Sequence, residues 1–129
     1  MTKQEIFDKV VKHFSIQRQA AGRGVMLCCM YRTPDGRKCA VGALIPDEAY
    51  DPSCEGEGVS TLFREYPDMM RVSGLTRRHE VLLIDLQRAH DSAAESGCFL
   101  SDLSGKLRVT ANTHRINSHL LVLLDEEEA

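Results

Sequence analysis

Residues 29–50 read CMYRTPDGRKCAVGALIPDEAY, and the fold turns on what this stretch does. Thr33-Pro34-Asp35-Gly36 is a strong turn signal. Proline pre-sets φ at the first central position, aspartate tolerates the second, and glycine supplies the positive φ that closes it. Leu27 to Arg32 enters the turn as an apolar arm, and Arg37, Lys38 and Cys39 leave it. Two short arms folding back on each other predict an antiparallel β-hairpin over about 27–39. Such a ribbon is marginal alone in water, so it must lie on helices. The next segment, Cys39 to Ile45, is small and apolar. It reads as a strand or, as the favoured alternative, a short buried helix with Cys39, Gly42 and Ala43 on one side, where another backbone can approach closely. Pro46 stops it, because proline disfavours helical geometry in the residue before it.

Working outward, Thr2-Lys3-Gln4-Glu5 has the spacing of a capping box, with Thr2 as N-cap. Ile6, Phe7, Val10, Val11 and Phe14 follow at helical spacing, which predicts a first helix to about Gln19. After Pro46 the chain is acidic and rich in turns. Ser60 is placed to cap a short helix carrying Leu62, Phe63 and Tyr66, with Val59 as its staple. Leu82, Leu86, Ala89 and Ala93 predict a long helix from Thr76 to about Ser96, and Leu103, Leu107 and Ala111 another from about Ser101 to His114. The run 119–124 is apolar on all sides and precedes acidic residues. Carboxylates at a helix C-terminus oppose its dipole, so this run needs packing within the chain or a second copy, which makes it a homodimer candidate. The expected fold is α+β: one mostly helical domain over 1–129, with a hairpin packed on helices and an acidic tail, 125–129, open to disorder.

Composition bounds the function. A chain of 129 residues with a formal charge of −3 fits one domain and argues against a nucleic-acid-coating protein. No apolar run is long enough to span a bilayer. Nothing reads as a signal peptide, and five cysteines, an odd number, read as reduced thiols packed as small hydrophobes. The expectation is a cytoplasmic protein with no membrane partner and no cofactor.

The pattern Cys29-x-Tyr31-Arg32, Asp35-Gly36-x-Lys38-Cys39-Ala40-Val41-Gly42, Leu44-Ile45-Pro46-Asp47-Glu48 and Tyr50 resembles a family of small proteins of bacteriophages, prophages and bacteria. Leu82-Leu83-x-Asp85-Leu86-Gln87-x-Ala89-His90-Asp91 and Glu5 to Val11 fit the same pattern, so the resemblance covers roughly the first ninety residues. No catalytic residues are assigned to that family, and none are carried over. A phage origin implies a cytosolic accessory role: binding and blocking a host protein, including the complexes of bacterial defence systems.

Several constellations compete for function. Cys39 opens an apolar segment and reads as a buried thiol. The enzyme reading makes it a nucleophile with His90 as base and Asp91 as orienting group. His90-Asp91 also resembles a metal-binding dyad, but the further ligands that chemistry needs are not evident. Cys28, Cys29, Cys39 and Cys54 lack the paired spacing of a zinc site. Arg71, Arg77, Arg78 and Arg88 form a basic patch, with Arg64 nearby, that can meet an acidic protein surface. The acidic loop Asp47, Glu48, Asp51, Glu55 and Glu57 is a second candidate surface, of a kind that can mimic nucleic acid. It does not match a calcium loop. Few aromatic residues and no recognition motif argue against nucleic acid as partner. Protein–protein binding through the basic patch and the acidic loop is the leading expectation. A cysteine-dependent enzyme, or a small-ligand or nucleotide binder using the Gly42-Ala43 surface, are the alternatives.

Overall fold

The first helix of the computed structural model, α1 (Lys3–Gln17), starts at the expected capping box. Thr2 Oγ1 accepts the Glu5 N–H at 3.0 Å, and Glu5 Oε1 accepts the Thr2 N–H at 2.8 Å. The Thr2 N–H also holds the Glu5 carboxyl below its ordinary range. Ile6, Phe7, Val10, Val11 and Phe14 are all fully buried. The helix stops two residues before Gln19, where Arg18 takes a left-handed φ of 58°. The structure describes residues 1–22 and 30–125. The expected hairpin's residues 27–29 and the tail residues 126–129 lie outside the described residues.

The α+β expectation is overturned. Among the described residues there is no strand and no sheet, and the chain is mostly helical. The turn itself is present: Gly36 has φ +90° and donates its N–H to Thr33 O at 3.0 Å. The arms, however, share one antiparallel bridge, Arg32 with Lys38. The flanking Thr33 N–H reaches Arg37 O, and the Cys39 N–H reaches Tyr31 O. Pairing goes no further for two reasons. The Tyr31 N–H, which would continue the ladder, goes to the Glu55 carboxylate, and its would-be acceptor, Cys39 O, takes the Ala43 N–H. On the exit arm the chain turns at Ala40 and enters a 3₁₀ turn, Gly42–Leu44. The buried small-residue segment is therefore helical in kind, but only one turn long.

Beyond Pro46, α2 (Val59–Glu65) and α3 (Pro67–Val72) follow. Ser60 does not cap α2. Gly58 is the N-cap residue, without a side-chain bond, and the Ser60 hydroxyl donates to Glu80 Oε2 at 2.8 Å, tying α2 to the start of the next long helix. The expected Thr76–Ser96 helix divides into a 3₁₀ turn, Arg77–His79, and α4 (Glu80–Ala94). The division has a local cause: Thr76 donates its N–H to His79 Nδ1 at 3.1 Å, which closes a capping box before the α-helix begins. α5 (Phe99–His114) packs along α4. The short connection makes the two antiparallel, and His114 Nε2 meets Asp85 Oδ2 at 2.7 Å near the start of α4.

The apolar run 119–124 is pinned within the chain. It forms a 3₁₀ turn, His119–Leu121, and α6 (Val122–Asp125). Leu121 and Leu124 are buried, and α6 lies against α1 and α5. Gln4 fixes the approach, donating Nε2 to Asn117 O at 3.0 Å and accepting the Asn117 N–H at 2.8 Å. One apolar cluster joins α1, the 39–45 segment, α2 to α5 and the 121–124 turn. No helix among the described residues is long and apolar enough to cross a membrane.

Candidate functional site

The residues with catalytic potential meet inside the protein, where α4 presses against the loops that flank the turn. His90 is fully buried, with its ring among Phe14 and Phe99 at centroid distances of 5.5 and 5.8 Å. Its Nε2 accepts the Ala21 N–H at 3.1 Å, which leaves the proton on Nδ1. Nδ1 donates to Asp91 Oδ1 at 3.0 Å. The same carboxylate oxygen accepts from Gln87 Nε2 at 2.8 Å, and Gln87 Oε1 accepts the Val41 N–H at 3.1 Å. Three polar side chains of one helix thus satisfy backbone donors from two separate loops, as buried N–H groups require.

Cys39 belongs to this cluster as packing. Its thiol is fully buried and accepts the Gly42 N–H at 3.3 Å. Burial pushes its pKa well above the ordinary thiol range, the opposite of what a nucleophile needs. Both ring nitrogens of His90 are engaged, by Ala21 and Asp91. Cys54 is buried too, and loss of solvent pushes its thiol up to about 12. Cys28 and Cys29 lie outside the described residues. Among the described residues, no three His, Cys, Asp or Glu side chains gather as a metal site would require.

The Gly42 surface offered to a small ligand is filled by the chain's own backbone. A Cβ at Gly42 would lie 2.0 Å from Tyr31 O, so glycine is needed for this approach. Tyr31 is locked from its other side by Glu55, whose two carboxylate oxygens accept the Tyr31 N–H at 2.8 Å and the Arg32 N–H at 3.0 Å. The Tyr50 hydroxyl also donates to Glu55, and the Tyr31 hydroxyl donates to Glu57 O. Glu55 is therefore a structural clamp. The rest of the acidic loop divides: Asp47 pairs with Arg32 at 2.7 Å and Lys38 at 3.6 Å, and Asp51 caps the Pro52–Cys54 turn through the Ser53 N–H. The bond from Arg32 holds the Asp47 carboxyl below its ordinary range. Glu48 and Glu57 are exposed.

The basic patch also divides. Arg71 pairs with Asp68 at 3.3 Å and Arg64 with Glu65 at 3.3 Å. Arg77 pairs with Glu80 at 2.6 Å and lies over the Phe63 ring. Arg78 and Arg88 are exposed and form no ion pair with the described residues. Arg88 stands on the rim of an open groove of about 530 Å³ between α4 and α5, and Lys106 stands with it.

The structural roles of two residues escaped the sequence reading: Gln87, and Glu55, which was expected on a partner-binding surface. Gln87 had a signal, because it is polar and falls on the stripe formed by Leu83, Leu86 and His90. Glu55 had none, since the backbone N–H groups it accepts are 23 and 24 residues away. Compared with protein-family models, curated proteins and solved structures, the chain matches none.

Proposed function

We propose that this chain is a phage-type accessory protein of the cytoplasm that acts by binding a host protein, as an inhibitor of a bacterial defence system. The observation that carries the reading is a division of labour among polar side chains. Cys39, His90 and Asp91 look reactive in the sequence, yet their polar atoms are engaged by the fold's own groups. Arg78 and Arg88 stand outside and are matched by no carboxylate among the described residues. Charges left in this way steer and orient a macromolecular partner. The family resemblance of the Cys29–Tyr50 and Leu82–Asp91 segments supplies the phage setting and with it the defence-system target.

The test is capture of partners from a host lysate by the tagged full chain, read by mass spectrometry. A specific host protein should be retained by the wild type and by Cys39→Ala, and weakly by Arg78→Glu. Retention of nothing specific, or loss of capture in a folded Cys39→Ala chain, would remove the reading. Arg78 is the better probe than Arg77, whose reversal would also set two carboxylates against each other at Glu80.

A further inference from the structure

We propose that the cleft between α4 and α5 is a docking groove for an acidic amphipathic helix of a partner protein. The inference rests on the protein-binding reading above and names the chemistry of the partner.

Each wall of the groove is a helical stripe with the same spacing. Asp85, Arg88, Ala89 and Ser92 line it from α4; Lys106, Val109, Thr110 and Thr113 line it from α5. Both sets step i, i+3, i+4, i+7, which keeps them on one face along two turns of helix. Ala89 and Thr110, only 6% and 7% exposed, form the floor. Val109 is 65% exposed, an apolar side chain left in water beside a concave surface. Two antiparallel helices whose outer stripes leave a trough are a seat for a third helix, which lays its ridge of side chains between them.

Charge selects the occupant. Arg88 and Lys106 bring one cation from each wall, and neither forms an ion pair with the described residues. The one carboxylate in the lining, Asp85, is engaged by His114 at 2.7 Å. This positive trough lies on a chain whose net charge is −3. A helix with an apolar ridge flanked by glutamates would set the ridge on Ala89 and Val109 and its carboxylates against Arg88 and Lys106. Nucleic acid fits poorly, because a phosphate backbone is gripped by a series of cations along its path, and here two cations bracket an apolar floor.

The experiment uses the full-length protein and a fluorescein-labelled synthetic helix of glutamate and leucine, with a matched lysine/leucine helix and a duplex DNA as competitors, read by anisotropy. The glutamate helix should bind, more weakly as salt rises. The double reversal Arg88→Glu/Lys106→Glu should weaken it by about tenfold or more, and Val109→Asp severalfold, with circular dichroism unchanged. Lys12→Glu, on the outer side of α1, should bind as the wild type does. The groove is overturned if the glutamate helix does not bind, if the folded double reversal binds it equally, or if the lysine helix or the DNA binds as tightly. Lysate capture separates this from the wider reading. A host partner still held by the double reversal overturns the groove alone. A chain that binds the glutamate helix but retains no host protein upholds the groove's chemistry and removes the wider reading.

Discussion

Helix α4 has two faces of opposite character, built from neighbouring residues. On its inner side, Gln87, His90 and Asp91 make a linked set of hydrogen bonds that reaches Ala21 and Val41. On its outer face, one residue on from Gln87, Arg88 meets no carboxylate among the described residues. The difference shows that a polar residue's chemistry does not reveal its task. What decides the task is whether the fold supplies a partner for it.

The inner face should break hardest. Gly42→Ala drives a methyl group into Tyr31 O, and the 3₁₀ turn cannot retreat because Leu44 and Ile45 are fully packed behind it. The loss should be about 3 kcal/mol or more, measured by denaturant unfolding. A variant as stable as the wild type would show that the Tyr31 contact is loose. His90→Ala comes next, at about 3 kcal/mol, since it opens a cavity between Phe14 and Phe99 and strands the Ala21 N–H. Cys39→Ala should cost about 1 to 2 kcal/mol, because a small volume is lost and the Gly42 N–H gives up only a weak sulfur acceptor. The reverse order of these two would make the thiol the keystone of the clamp.

Acid should produce a milder effect through His79. It is buried, and loss of solvent lowers its pKa below the ordinary histidine value. The unfolded chain therefore binds this proton more readily than the folded one. Stability is fully present above the unfolded pKa and declines as pH falls below it toward the lowered folded value. Protonation at Nδ1 would also end the bond from the Thr76 N–H. Tm should fall between neutral and mildly acidic pH, and the fall should shrink in His79→Gln; His13, also lowered by burial, contributes in the same direction. An identical pH profile in His79→Gln would move the effect elsewhere. The outer face should give the smallest change: Arg88→Glu should shift stability by no more than about 0.5 kcal/mol. A larger loss would mean that this face is wired into the fold after all.

Legibility in the sequence follows the range of the forces involved. α1 could be read because its capping box and apolar stripe lie within one segment. α5 and most of α4 could be read because their burial is periodic. The hairpin was misjudged because the turn chemistry is local and correct, while the fate of the arms is not. Continuing the ladder at Tyr31 would need the N–H that Glu55 takes from more than twenty residues away, across a loop whose charge reads as solvated. The catalytic reading of His90 met the same limit. Its partner is a backbone N–H at Ala21, and no side-chain pattern records that. The groove was half legible: Arg88 stood out as a cation, but Lys106 and Val109 acquire meaning only when α5 folds back along α4.

The pairing of Gln4 with Asn117, and the seating of α1 against α6, has a consequence for how the chain is made. Helix α1 finds part of its lining only in residues synthesised more than a hundred positions later. Until then its phenylalanine-bearing stripe is incompletely covered, the kind of exposed apolar surface that makes an unfinished chain prone to aggregate. Completion of this fold therefore waits until the 117–125 segment has been made.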